Sequence, residues 1–280
     1  MSFFSNRRLV IATKHSKEQV IAPLLETALG VSCFVAEDFD TDILGTFTGE
    51  IARELDPVAT ARRKCLMAME LADCDLGVAS EGSFGPHPSM FFVSADDELL
   101  VFIDKKNNFE IIVRELSVET NFNGREVKTE EELLEFAYSV QFPSHGLILR
   151  KAKDENSDII KGITDIKQLK DAFYGLMSDF NTVYAETDMR ALYNPSRMKV
   201  IEAATHKLIS KINSICPQCS KPGFGVTDAK RGLACRLCGL PTNSIVSHIY
   251  VCQYCQYTTE ELYPHKKTVE DPMYCNYCNP

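Results

Sequence analysis

No apolar run in the chain approaches the ~20 residues that a bilayer-spanning helix needs, so no α-helical membrane span is expected. The opening residues, Met1-Ser2-Phe3-Phe4-Ser5-Asn6-Arg7-Arg8, lack the apolar stretch of a secretory signal, and the expected location is the cytoplasm. Positive charge is in deficit: 30 Lys and Arg stand against 39 Asp and Glu, a formal net charge of −9. Sequence-independent nucleic-acid binding draws its affinity from phosphate neutralisation by Lys and Arg, so this balance argues against it. Cysteine, by contrast, is abundant. In a reducing compartment the 11 cysteines serve as thiols or metal ligands rather than disulfides. At 280 residues and 45% hydrophobic the chain can bury a large core, with room for one main domain and a smaller one.

The smaller domain carries the strongest motif. Cys216-x₂-Cys219, Cys235-x₂-Cys238, Cys252-x₂-Cys255 and Cys275-x₂-Cys278 form four C-x₂-C pairs. Each pair turns two thiolates toward one ion, and two pairs complete a tetrahedral Cys₄ site. Two structural zinc ions are expected, because a tail this poor in apolar residues needs staples. Closed Cys₄ sites leave no open position for catalysis. Sequential pairing of neighbouring pairs is favoured over crossed pairing, although spacing is compatible with both. From Cys216 onward six Lys and Arg face five Asp and Glu, and each tetrathiolate zinc adds about −2. That is a poor footprint for nucleic acid, so a protein partner is the better reading for this module. The remaining cysteines, Cys33, Cys65 and Cys74, read as core residues.

The main domain is centred on Asp75 to Pro88, D-L-G-V-A-S-E-G-S-F-G-P-H-P. Leu76 to Ala79 reads as a buried strand, and Ser80 to His87 as a glycine-rich loop leaving its carboxyl end. In an open α/β sheet such loops form the ligand crevice. Ser80, Glu81 and Ser83 supply oxygen donors there, and His87 a proton donor. Arg8 to Ala12 reads as a first strand feeding a helix that runs to about Leu29. The turn between them carries Lys14, His15 and Lys17, a ready anion site at a helix N-terminus; the plain alternative is a Ser16 cap with solvated lysines. The long loop Glu37 to Pro57 brings Thr46 and Thr48, able to reach a ligand. On the following helix Arg62 lies at the margin of the apolar face, a candidate phosphate clamp or a snorkelling side chain.

Three expected strands end in acids: V-A-S-E at Glu81, S-V-E-T-N at Glu119, and Y-A-E-T-D at Glu186 and Asp188. Were these ends to share one sheet edge, the carboxylates would repel unless a divalent cation joined them, and hard oxygen ligands suit Mg²⁺. Arg62, Lys14, Lys17, Arg190 and Arg197 provide cations for a phosphorylated ligand. The alternative is a set of solvated strand-end acids. Asn194 and Pro195 mark the start of a last helix.

The runs G-T-F-T-G-E-I, S-E-G-S-F-G-P-H-P, E-T-N and E-T-D-M-R-A-x-Y-N-P-S-R together resemble a family of uncharacterised bacterial proteins, a domain of unknown function with cysteine pairs at its end. That resemblance spans nearly the whole chain and implies no particular activity. Over the first third, A-T-K-H-x-K between strand and helix, a long loop, an Ala/Arg helix and a strand ending in E-G are similar to the inosine triphosphate pyrophosphatase group. This likeness implies Mg²⁺-dependent cleavage of nucleoside triphosphates. The early motif departs from that group in being one residue short and in placing His15 where Asn is usual.

The expected architecture is an α/β domain over residues 1–213, with a mixed, partly parallel sheet flanked by helices. A double zinc-ribbon module occupies residues 214–280. The expected function is Mg²⁺-dependent hydrolysis of a nucleotide or other phosphoanhydride. In it Glu81, Glu119, Glu186 and Asp188 act as ligands or bases, and His15 and His87 as proton donors. The competing function is a non-catalytic sensor of a nucleotide or other phosphorylated ligand that signals through its zinc ribbons to a protein partner.

Overall fold

A computed structural model describes residues 3–36, 39 and 56–280. The chain divides into two compact units, Met1–Ile209 and Ser210–Pro280. Thr46 and Thr48, together with most of the long loop that holds them, lie outside the described residues.

The first unit opens with β1 (Arg8–Ala12), α1 (Glu18–Leu29), β2 (Ser32–Val35), α2 (Pro57–Leu71), β3 (Leu76–Pro86), β4 (Ser94–Asp104) and β5 (Phe109–Ser117). These strands form one sheet in the order β2-β1-β3-β4-β5. β1 pairs in parallel with both β2 and β3, while β3-β4 and β4-β5 are antiparallel. The chain therefore leaves β1 toward β2 on one side and returns as β3 on the other. Asp56 starts α2 by accepting the Ala59 N–H at 3.0 Å, with Pro57 just inside the helix. The α2 stripe Ala61, Cys65, Ala68 and Met69 packs onto Val10, Ala12, Ala79, Leu99 and Val101. Close approach is possible because β3 carries Gly77, where a Cβ would sit 2.7 Å from Met69 Cγ and 2.9 Å from Cys65 Sγ.

A second sheet follows from β6 (Gly124–Val127), β7 (Leu147–Arg150), β8 (Ile159–Ile163) and β9 (Val183–Thr187). Its order is β6-β9-β7-β8 and every pairing is antiparallel. Helices α3 (Glu130–Ser139) and α4 (Ile166–Asp179) bury Leu133, Phe136, Leu169 and Phe173 in a core with Val127, Leu147, Leu149, Val183 and Ala185. Thr129 caps α3 by accepting the Glu132 N–H at 3.2 Å, and the Glu132 carboxylate accepts the Lys128 N–H at 2.7 Å. Helix α5 (Pro195–Asn213) is capped by Asn194, whose side-chain oxygen accepts the Arg197 N–H at 3.0 Å. The second unit is built on the antiparallel strands β10 (Gly225–Arg231), β11 (Ile245–Val251) and β12 (Thr258–Leu262).

Three sequence expectations change. Ser80 to Pro86 is strand rather than loop: β3 pairs residue by residue with β4 from Leu76↔Asp104 to Pro86↔Ser94. Its polar, glycine-rich sequence resembles a loop, but an equally polar partner, S-A-D-D-E, supplies a full ladder of backbone hydrogen bonds. The short strands β6 and β8 were not expected, since neither carries the apolar run of a buried strand. Ser16 does not cap α1; Lys17 occupies the N-cap, and His15 and Ser16 take left-handed φ values of 69° and 63°.

Phe102 anchors the other face of the first sheet, fully buried and edge-on to Phe4 at 5.5 Å between centroids. Phe102→Ala is expected to cost about 3–5 kcal/mol, read as a lower urea midpoint at unchanged slope. An unshifted midpoint would contradict this packing.

Candidate functional site

In the second unit the eight cysteines gather into two tetrads. Cys216, Cys219, Cys252 and Cys255 form one, and Cys235, Cys238, Cys275 and Cys278 the other, each with its sulfurs within 4.8 Å of one another. The pairing is thus crossed, first with third and second with fourth, which corrects the sequential expectation. The contacts Cys216–Cys255 at 3.7 Å, Cys219–Cys252 at 3.6 Å, Cys235–Cys278 at 3.9 Å and Cys238–Cys275 at 3.6 Å are far too long for disulfides. They match the ~3.8 Å edge of a tetrahedron with metal–sulfur bonds of ~2.3 Å. Three of the four knuckles repeat one turn. The N–H of Cys216, Cys235 and Cys252 donates to the carbonyl of Lys221, Leu240 and Tyr257, and the residue after the second cysteine donates back to the first. That residue, Ser220, Gly239 or Gln256, is left-handed, with φ of 57°, 74° and 59°. Both tetrads can hold metal ions such as zinc.

We expect two metal equivalents per chain. Mild oxidation of metal-stripped protein should link Cys216 or Cys219 to Cys252 or Cys255. A disulfide map dominated by links from Cys216 or Cys219 to Cys235 or Cys238 would restore the sequential arrangement.

In the first unit the charged side chains gather where β1 ends. β1 stays paired with β3 only as far as Ala12↔Ala79, after which β3 continues against β4 alone. The notch so formed lies at the reversal of strand order, where open α/β sheets bind ligands. Alternate residues of β3 point to opposite faces. On one face Ser80 accepts a hydrogen bond from Lys17 Nζ at 2.8 Å. On the other, Glu81 forms an ion pair with Lys64 of α2. β4 adds Asp96 and Glu98, which share the face of Ser80. Arg197 of α5 donates through Nε to Glu98 Oε1 at 2.6 Å, and Lys17 Nζ lies 4.0 Å from Glu98 Oε2. Gly82, opposite Glu98 in the ladder, leaves room for this contact, since a Cβ there would collide with both Arg197 and Glu98.

All of these side chains are buried, Asp96 to 1% exposure and Glu98 to 0%. Among the described residues both oxygens of Asp96 and Oε2 of Glu98 have no hydrogen-bond partner. Burial, reinforced by the neighbouring Glu98 charge, pushes the Asp96 carboxyl up to about 8. Burial, with Arg197 adding to it, brings the Lys17 ammonium down to about 8. An acid and an amine that exchange protons near neutrality thus share one buried site.

The expected site residues divide. Lys17, Ser80, Glu81 and Arg197 come together. Glu186 does not join them: it sits on β9 in the second sheet, paired with Arg150 at 2.5 Å, and burial raises its pKa. Asp188 accepts from Arg190 at 2.6 Å and from the Gly162 N–H at 3.1 Å, and Arg190 stacks on Tyr193. Glu119 is exposed at the end of β5. Among the described residues only the cysteine tetrads bring three or more such ligands together, so the four strand-end acids form no common metal cluster. Two sheets, rather than one, separate them. Arg62 reaches β5 instead, pairing with Glu110 at 2.6 Å. His87 accepts the Ser89 and Met90 N–H groups at 3.1 and 3.2 Å and shapes the β3–β4 turn. Ser83 lies half-buried further along β3, Lys14 is exposed, and His15 is half-buried in the left-handed turn.

Lys64, Asp96 and Glu98 were missed. Each had a signal. Lys64 falls on the apolar stripe of α2 between Ala61 and Ala68, and Asp96 and Glu98 stand two apart in a strand, hence on one face. Asp97 between them points away, to Arg114.

A carboxyl raised from 3.8 to about 8 in the fold binds a proton that the unfolded chain has lost, so stability falls as pH rises from about 4 to about 8. Asp96→Asn should therefore raise the melting temperature at neutral pH and flatten its decline over that range. A lower melting temperature at pH 7 would show that the ionised carboxylate is stabilised after all.

Among curated proteins none matches the chain. A family model matches residues 64–280, from Lys64 on α2 through both cysteine tetrads, while the likeness of the first third to the inosine triphosphate pyrophosphatase group rests on its motif alone. The chain belongs to the family described as a domain of unknown function, DUF6671.

Proposed function

We propose that the α/β unit binds a nucleotide or another phosphoanhydride at the carboxyl end of β1 and hydrolyses it with Mg²⁺. The observation that carries this reading is the buried pair Asp96 and Glu98, three of whose carboxylate oxygens have no hydrogen-bond partner among the described residues, beside Lys17 and Arg197. Mg²⁺ commonly takes one or two carboxylates, several waters and the phosphates of its substrate, and Asp96 and Glu98 offer the carboxylates, with Glu81 on the opposite face of β3. Lys17, Lys64 and Arg197 supply the cations that phosphoryl chemistry requires, and burial strengthens each interaction. Lys17 and Asp96 are suited to move a proton near neutral pH. The motif likeness to the inosine triphosphate pyrophosphatase group points the same way. The cysteine-rich unit acts as a zinc-stapled module for a protein partner, and the reading places the protein in the cytoplasm; among the described residues no helix is long and apolar enough to cross a membrane.

A second reading, sensing without turnover, is favoured by one observation. Lys64–Glu81 and Arg197–Glu98 are already ion pairs, so a ligand would exchange partners rather than meet free charges.

With Mg²⁺, a panel of standard and non-standard nucleoside triphosphates should yield phosphate or pyrophosphate. Glu98→Gln and Glu81→Gln should each lower turnover by ~10²-fold or more in protein whose circular dichroism is unchanged. Tight binding with no product over hours would select the sensor, and full activity in Glu98→Gln would remove this site from the chemistry.

A further inference from the structure

The residue before Arg197 belongs to a separate constellation. Ser196 Oγ lies 2.9 Å from His145 Nε2, and the Ser196 backbone N–H donates to the same nitrogen at 3.3 Å. On the far side of the ring, His145 Nδ1 is 3.0 Å from Ser144 Oγ, and that hydroxyl donates to the Gln141 carbonyl at 2.7 Å. These contacts fix the tautomer. The Ser144 proton is committed to Gln141, so Ser144 can only accept from His145, which places the imidazole proton on Nδ1 and leaves Nε2 as the acceptor for Ser196. Because Nε2 also accepts the Ser196 backbone N–H, the geometry holds the ring in its neutral form; burial and the positive charge of Lys199 lower the His145 pKa, against the Gln141 backbone contact, which raises it. A hydroxyl, a neutral imidazole and a group that orients the imidazole are the parts of an activated nucleophile.

Ser196 opens on a cavity of about 470 Å³ whose lining includes Val118, Glu119, Thr120, Lys199 and Val200, a volume suited to a small molecule. Its walls are held from behind. Asn194 Nδ2 donates to Asn121 Oδ1 at 2.9 Å, Asn121 Nδ2 donates to the Val140 carbonyl at 2.9 Å, and both asparagines are buried. The segments E-T-N and Y-N-P-S-R, far apart in sequence, are thereby locked around one chamber. Lys199 lies one turn after Ser196 on the same helix face and lines the same cavity.

We propose that Ser196 and His145 form a nucleophile–base pair that cleaves a small carboxylic ester in this cavity, its acyl group against Val118 and Val200. Ser196 Oγ bonds to the carbonyl carbon as its proton passes to His145 Nε2. Collapse of the tetrahedral adduct breaks the ester C–O bond, and the alkoxide leaves with that proton. Water then attacks the acyl-serine, gives its proton to Nε2 and releases the carboxylic acid, and the proton returns to Ser196 Oγ. Ser144 is a positioning residue.

The test is labelling of the full chain by an alkyl fluorophosphonate, which forms a serine–phosphorus bond and expels fluoride. Intact mass should show one adduct, peptide mapping should place it on Ser196, and Ser196→Ala should show none. His145→Gln should slow labelling by ~10²-fold or more. Because His145 is buried, the wild-type protein supplies a second readout. Its labelling rate should fall on acidification with a single apparent pKa below that of an ordinary imidazole and stay level above it. Lys199 acts on that imidazole directly, and Glu115 and Glu119 line the same cavity. No adduct, an adduct only elsewhere, a rate that His145→Gln leaves unchanged, or a rate independent of pH would overturn the assignment.

Discussion

Six ionisable side chains are buried around the end of β1, and the cost of taking charge out of water governs how the elements there meet. Lys17, Lys64, Arg197, Glu81, Asp96 and Glu98 come from α1, α2, α5, β3 and β4. An isolated charge in such a place is very costly, whereas a paired one is tolerated. Each helix is therefore tied to the sheet by a particular partner: Lys17 to Ser80, Lys64 to Glu81, Arg197 to Glu98. Asp96 has no hydrogen-bond partner among the described residues, and burial raises its pKa. Breaking any one pair would strand its mate, so the first sheet and α5 hold their arrangement together. A hydrophobic contact of the same area would tolerate sliding.

The same constraint acts differently in the second unit. Its strands carry few large buried side chains, and the fully buried residues there include Cys216, Leu233, Cys235, Cys252 and Cys275. Four thiolates close together demand a cation, and the turn repeated at three of the four knuckles presents backbone amides to the sulfurs, as where the Leu237 N–H approaches Cys235 Sγ at 3.4 Å. The small sheet follows from the ligand geometry as much as from its own apolar contacts.

Where local chemistry determines structure, it was legible in the sequence. The Asn194-Pro195 helix start and the cysteine pairs both rest on short-range geometry. The missing parts depend on which distant segment lies alongside. β3 was read as ending at Ala79 because Ser80 to Pro86 has loop composition, and only the acidic strand β4 makes it a ladder. The strand-end acids repeat convincingly in sequence, yet Glu186 pairs with Arg150 within another sheet and Asp188 with Arg190 just beyond its strand β9. Crossed cysteine pairing is likewise a matter of topology, which spacing does not encode. Ser196 and His145 are 51 residues apart, with no local pattern to join them.

The interleaving of the tetrads also bears on how the chain is made. Synthesis is vectorial, and a tail emerging from the ribosome exposes Cys216, Cys219, Cys235 and Cys238 before Cys252 has been added. Those four thiols are stoichiometrically complete for one ion but belong to two different native sites. An ion captured at that stage closes the wrong loop and has to be surrendered before the native sites can form. Correct maturation therefore favours metal that arrives late or exchanges quickly, a kinetic demand that a sequentially paired tail of the same composition would not face.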